Sequence, residues 1–340
     1  MSRHRFRCCS ALRLLTGSAP VSGDAATLAS AVGLRAGGGK ALDVPEQGVS
    51  WSYEELDGQA RRLAGAMQEL GVKRGHIVAS ALPNVGESLL LQLAAAHVGA
   101  AVCTVPKDAA ARAKLPAPLV ASFAAGPRPE HLSDLEIPHV VLLDDKDDPP
   151  EANTVNMAEL LAANMRGDAP AAEANELMAV FGSAALSHGE AMRLGTEAAR
   201  RLGTTSGSQA DAVCCSVTLL HAFGIASAVG SALVSGAAVV LPAVGGIKGC
   251  GNPQQRAEVT VDVINRAGVT QLFGDSHTLR ALPARPAGTG RLRTGVIKIG
   301  SGSDFLDGVT ETPPGADGSA PVPLSWGGVS FHAMGKRQSC

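Results

Sequence analysis

Between Asp211 and Lys248 the chain carries no charged side chain. A stretch of that length can cross a bilayer as one helix or run through the interior of a folded domain. Gly224, Gly230, Gly236, His221 and Pro242 divide it into pieces of strand and helix length. A lipid-facing backbone has no water to satisfy the groups that such breaks release. The segment therefore reads as an interior strand–helix–strand unit and not as a transmembrane span. Its parts are strand Ala212–Thr218, a Gly/Ala/Ser-rich helix Phe223–Val234 and strand Ala237–Leu241.

The same alternation governs the first third of the chain. Residues 24–50, with Gly37-Gly38-Gly39 and Pro45, read as a loop, and Val49–Tyr53 as a short strand. Leu56, Ala60, Leu63, Ala64, Met67 and Leu70 recur at helical spacing over Glu54–Leu70, with Ser52 and Glu55 placed as a capping box and Gly71 as the stop. Ile77–Leu82 reads as a buried strand, Ser88–Val98 as a helix ended by Gly99, and Ala100–Val105 as the next strand. Between Lys107 and Ala172 only Val140–Leu143 reads as a strand. The acidic run Asp144–Asp148 before Pro149-Pro150 reads as a solvated turn, not a cation site. Beyond Leu177 the expected elements are helix Glu190–Leu202 capped by Ser187, helix Val259–Ala267, strand Gln271–Phe273, a helix start at Ser276–Ala281 and strand Val296–Ile299. Strands and helices in this order make a mostly parallel sheet flanked by helices.

Apolar residues make up 45% of the 340 and charged residues 18%, a globular balance. Aromatics are only 3%, so the core rests on Ala, Val and Leu, which bury little area each. A net charge of −2 and the lack of any nucleic-acid-binding motif argue against direct contact with nucleic acid. Seven cysteines without a C-x-x-C pair favour a reducing compartment over a disulfide framework or a zinc site, and Cys214-Cys215 reads as buried packing. Arg3, Arg5, Arg7 and Arg13 are interleaved with Leu, Phe and Ser, and no acid precedes Asp24. That is the composition of a mitochondrial targeting segment over residues 1–23, and it implies the matrix or the matrix face of the inner membrane.

Several stretches in order resemble one family. They are Ser52-Tyr53-Glu54-Glu55-Leu56, Arg62-Leu63-Ala64, Leu70-Gly71-Val72-Lys73-Arg74-Gly75, Ala81-Leu82-Pro83-Asn84, Ala95–Val105, Thr218-Leu219-Leu220-His221-Ala222-Phe223-Gly224, Gly236–Leu241 and Val269–Gly274. Together they resemble the adenylate-forming (AMP-binding, acyl-CoA synthetase-like) superfamily over roughly half the chain. The resemblance implies an α/β fold of mostly parallel sheets flanked by helices, like the N-terminal domain of those enzymes, without the C-terminal lid. The implied organisation is a targeting segment 1–23, a first α/β subdomain 24–175, a second 176–300, and an irregular Gly/Ser/Pro-rich tail 301–340 in which Trp326 is a candidate anchor.

Adenylation of a carboxylate requires donors and cations that offset charge on the phosphates. The family's Ser/Thr/Gly-rich loop ending in lysine would lie near Met178–Glu190, where only Gly182 and Ser183 remain and no Lys or Arg precedes Arg193. Thr204-Thr205-Ser206-Gly207-Ser208 follows the next helix and reads as a helix-to-strand loop. The family's later Thr-Glu has no equivalent in Trp326–Phe331, and Thr310-Glu311-Thr312 lies in a Pro/Gly-rich context. Gly300-Ser301-Gly302 resembles a small-residue turn near the family's adenine pocket. His221, Phe223 and Gly224 match the acyl-pocket segment, although His221 alone reads as a satisfied core histidine. His188 and His277 read as loop or cap residues. No catalytic residue, metal ligand or cofactor is expected from this pattern. The expectation is a non-enzyme, a catalytically silent accessory subunit of a mitochondrial assembly, with a respiratory-chain complex first and the mitochondrial ribosome second. The alternative is a residual acyl-CoA ligase or an acyl- or nucleotide-binding protein.

Overall fold

The computed structural model describes residues 25–37, 39–104, 115–125, 137–143, 154–163, 165, 172–181, 184–204, 211–243, 252–285, 290–299 and 324–334. Two seven-stranded sheets organise them. The strands in chain order are β1 Lys40–Val44, β2 Val49–Ser52, β3 Ile77–Ala81, β4 Ala101–Thr104, β5 Leu119–Ala124, β6 His139–Leu142, β7 Thr154–Asn156, β8 Leu177–Phe181, β9 Ala184–Ser187, β10 Ala212–Cys215, β11 Ala238–Val240, β12 Gln271–Asp275, β13 Thr294–Lys298, β14 Ser325–Trp326, β15 Val329–Ser330 and β16 His332–Met334. One sheet has the order β16-β13-β12-β10-β11-β1-β2 and the other β7-β6-β5-β3-β4-β8-β9. Within these two sheets pairing is parallel except at the edges, where β1–β2 and β8–β9 are antiparallel, and β14 and β15 form a separate antiparallel pair. Strand pairing therefore crosses residue 175 in both directions: β1 and β2 join the later sheet, while β8 and β9 join the earlier one.

The helices are α1 Leu28–Gly33, α2 Tyr53–Glu69, α3 Gly86–Val98, α4 Met157–Ala162, α5 His188–Leu202, a π-helical stretch Phe223–Val229 that runs straight into α6 Gly230–Ser235, α7 Pro253–Arg266 and α8 Ser276–Ala281. Side-chain alternation along the strands fixes the layering. Val213, Cys215, Val239, Phe273 and Val296 of one sheet share a single core with Val78, Val102, Phe123 and Val141 of the other and with α1, α2, α3, α5 and α6. Their neighbours Cys214, Val240, Leu272 and Ile297 point the other way, into a second core shared with α7. Helices thus fill the space between the sheets. α3 is buried nearly all round, and the π-helical stretch Phe223–Val229 entirely so.

Local chemistry explains the element ends. Ser52 and Glu55 form both hydrogen bonds of the capping box at α2. The hydroxyl of Tyr53, the chain's single tyrosine, is buried and donates to the Ala237 carbonyl at 2.7 Å, tying α2 to the turn before β11. Burial pushes its ionisation up. α3 has no side-chain cap of its own, and Gln47 reaches across to accept from Gly86 N–H at 2.8 Å.

Four expectations change. The stretch from Lys107 to Ala172, where only Val140–Leu143 reads as a strand, also holds β5, β7 and α4. Residues 24–50, read as a loop, contain α1 and β1. The tail expected to be irregular contains β14, β15 and β16, the last of which extends the large sheet beside β13. Trp326 is anchored there, donating to the Pro283 carbonyl at 2.7 Å beneath the Arg285 guanidinium, which lies 4.8 Å from the ring centre. The single helix expected over Phe223–Val234 begins as a π-helix. Among the described residues no helix is long and apolar enough to cross a membrane.

Candidate functional site

The strand orders locate the functional edge. In one sheet the chain passes from β10 to β11 and then returns across β10 to β12, β13 and β16. In the other it passes from β3 to β4 and returns across β3 to β5, β6 and β7. Open α/β sheets bind ligands outside the carboxyl ends of their strands at such reversals. The segments leaving those ends are Ser216–His221 after β10 and Leu82–Asn84 after β3. Asn84 joins them. Its side-chain amide donates to the Cys215 carbonyl at 2.8 Å, and its oxygen accepts from Leu219 N–H at 3.2 Å.

The loop after β10 is tightly specified. Thr218 accepts from Leu220 N–H through its hydroxyl. A Cβ on Gly224 would lie 2.1 Å from the Thr218 carbonyl oxygen, so only glycine allows the π-helix to start this close to the loop. The His221 carbonyl accepts from Gly224 and Ile225 N–H, and its Nδ1 accepts from Phe223 N–H at 3.0 Å. On its other side, His221 Nε2 lies 3.2 Å from Lys298 Nζ at the end of β13. His221 is half-buried, and both of its ring nitrogens lie within hydrogen-bond distance of a partner. Phe223 is fully buried and packs on Phe273 with ring centres 5.6 Å apart, so it supports the site from beneath.

Other groups brace this edge. The Ser216 hydroxyl is 2.6 Å from that of Thr260, and buried Arg256 donates to the Ser216 carbonyl at 3.1 Å, fixing α7 under the loop. Asp275, at the end of β12, caps α8 by accepting from Thr278 N–H at 2.7 Å. The other singled-out residues lie elsewhere. Thr204 bonds Gln271 at the amino end of β12, the opposite edge of the sheet. His277 is exposed on α8. His188 is the first residue of α5 and only 1% exposed, and burial pushes its imidazole down to about 4. Neither of its ring nitrogens has a hydrogen-bond partner among the described residues. Cys214 and Cys215 are fully buried, and burial pushes the Cys215 thiol up to about 12. Gly182, Ser183, Gly300, Ser301, Gly302, Thr310–Thr312, the Asp144–Pro150 run and the 1–23 segment lie outside the described residues. Among the described residues no group of three or more His, Cys, Asp or Glu is placed to hold a metal ion.

Residues 30–114 match the family described as AMP-binding enzyme. Over 58 residues the chain is 43% identical to acetyl-coenzyme A synthetase 1 of Candida albicans, a match spanning 17% of this chain and 9% of that protein. Among solved structures it is similar to MbtA of Mycobacterium smegmatis in its apo form, with a TM-score of 0.64 and 19% identity over 83% of this chain and 53% of that one. It is likewise similar to a benzoate CoA ligase from Burkholderia xenovorans, with a TM-score of 0.65 and 17% identity over 88% of this chain and 66% of that one. The chain has the fold of the adenylate-forming superfamily. It spans about half the length of the MbtA structure and a small part of the curated synthetase. These comparisons correct the expectation of a non-enzyme, since the proteins it resembles are named as a synthetase and a CoA ligase.

Lys298 was missed in the sequence. It stands 77 residues from His221, and no local pattern pairs them. The available signal was one cation interrupting the apolar run Val296–Ile299.

Proposed function

We propose that the protein binds a carboxylic acid and an adenine nucleotide at the carboxyl ends of β10, β13 and β3, as a carboxylate-activating protein of the acyl-CoA ligase type. The observation that carries this reading is the convergence of His221, Lys298 and Asn84 where both sheets reverse their winding. An amine and an imidazole at half-buried strand ends suit a carboxylate, and the Asn84 bridge keeps their loop in place. The family match over residues 30–114 supports the nucleotide part of the reading. The test is calorimetric titration of the purified chain with ATP–Mg and with short carboxylic acids, followed by an assay of carboxylate-dependent pyrophosphate release. Saturable binding that weakens about tenfold or more in Lys298→Met is expected. Absence of binding for both classes up to millimolar concentration refutes the proposal.

The Arg3, Arg5, Arg7 and Arg13 segment supports a location in the mitochondrial matrix or on the matrix face of the inner membrane. Association with other subunits of a mitochondrial assembly is a companion reading resting on that same segment. Import of the labelled chain into isolated mitochondria, followed by native electrophoresis, tests both. Failure to import removes them together, and migration as a lone chain after import removes the second.

A further inference from the structure

The helical layer between the sheets encloses polar side chains that no protein group meets. Gln92 of α3 is buried, and among the described residues neither its amide oxygen nor its amide nitrogen has a hydrogen-bond partner. Ser88, one turn earlier, is buried with its hydroxyl likewise unmet. His188, at the start of α5, is buried with both ring nitrogens unmet. Buried polar groups of folded proteins nearly always find a partner, either in the protein or in ordered water. We infer that water supplies it here, in a buried hydration site between α3 and α5 that bridges Ser88 and Gln92 to His188.

The fold brings these groups to one region. His97 of α3 faces α2, with its Nε2 3.5 Å from Asp57 Oδ1. Ser88 precedes His97 by nine residues and Gln92 by five, so at about 100° per residue they lie about 180° and about 140° around the helix from it. Both therefore point away from α2. α3 leads into β4 and α5 leaves β9, and β4, β8 and β9 are consecutive in their sheet, so the two helices are neighbours on its inner face. The segment Ala172–Glu176 straps them together. Ala172 N–H donates to the Ala96 carbonyl, one turn beyond Gln92, at 3.1 Å. The Ala174 carbonyl accepts from Gly189 N–H at 2.7 Å, and the Glu176 carbonyl from His188 N–H at 3.1 Å. Chemistry selects the occupant. Burial keeps the His188 imidazole neutral at pH 7, and Ser88 and Gln92 carry no charge. The set thus offers no carboxylate to a cation and no cation to an anion. It mixes donors with acceptors, which suits a water making about three hydrogen bonds. His188 follows Ser187, which pairs with Leu177 at the amino end of β8, so this site is separate from the ligand site proposed at the carboxyl ends.

Gln92→Leu, His188→Phe and the double variant of the whole chain are compared with the unaltered protein by thermal unfolding at pH 7. Each single change removes part of the bridge and should lower the melting temperature by about 2 °C or more. The double variant should lose clearly less than the sum, because the shared water is already gone after the first change. Additive losses overturn the inference. So does a Gln92→Leu variant that melts at or above the unaltered protein, the result expected for an amide that was dry and unmet. If a variant does not fold, the unaltered protein gives a second readout, NMR cross-relaxation between water and the Gln92 side-chain N–H protons. Long-lived bound water transfers magnetisation directly to those protons. Its absence means a dry site and overturns the inference.

Discussion

His188 is the residue whose burial has the clearest thermodynamic consequence. Its imidazole is held down to about 4 by burial, below its ordinary 6.5. Above pH 6.5 the folded and unfolded states are both neutral and the group contributes nothing to pH dependence. Between 6.5 and about 4 the unfolded chain takes up a proton that the folded chain refuses, so stability falls as pH falls. The size of that loss is about 3 kcal/mol. Urea denaturation of wild type and His188→Phe at pH 7 and pH 4.5 checks this: the variant should lose less stability on acidification. Asn84 makes a different kind of contribution. Asn84→Ala removes two hydrogen bonds that hold the loop after β10. A loss of about 1–3 kcal/mol is expected, with faster amide exchange at Leu219.

At the scale of elements, two sites show how magnitudes decide the sign. Ser52→Ala removes one half of the capping box of α2 and should cost about 1 kcal/mol in thermal or urea unfolding. Gly195→Ala within α5 would normally stabilise a helix by about 1 kcal/mol. Here the new Cβ would lie 2.6 Å from the Gly230 carbonyl carbon of α6, a backbone atom that cannot rotate away. Overpacking costs of about 1–3 kcal/mol outweigh the propensity gain, so the variant should melt lower than wild type. Elements whose chemistry is local were legible in the sequence: the α2 capping box, the Gly99 stop of α3, and the apolar runs of β3, β10 and β11. β1 was not, because Lys40 and Asp43 interrupt its pattern while making an ion pair with each other at 2.7 Å. β14 to β16 were hidden by their shortness and by Gly327-Gly328. The site was half legible: His221 stood out through its segment, but its partner Lys298 comes from another strand that only the folded sheet brings near.

For the whole molecule, the governing feature is the interleaving of the two sheets. β1 and β2 lie at the edge of the sheet built from the later half, and β8 and β9 at the edge of the sheet built from the earlier half. Neither half can complete its sheet alone, so cutting the chain near residue 175 should give two fragments that fold only when mixed; circular dichroism of each fragment and of the mixture reads this directly. The same interleaving brings Asn84 of one sheet onto the loop of the other and so assembles the proposed site. The most direct measurement of the central claim is an experimental structure of the chain with a non-hydrolysable acyl-adenylate analogue. The account predicts ligand density at the carboxyl ends of β10 and β13, with its acyl end beside His221 and Lys298. Density at any other place, or a site that stays empty at saturating analogue, would contradict it.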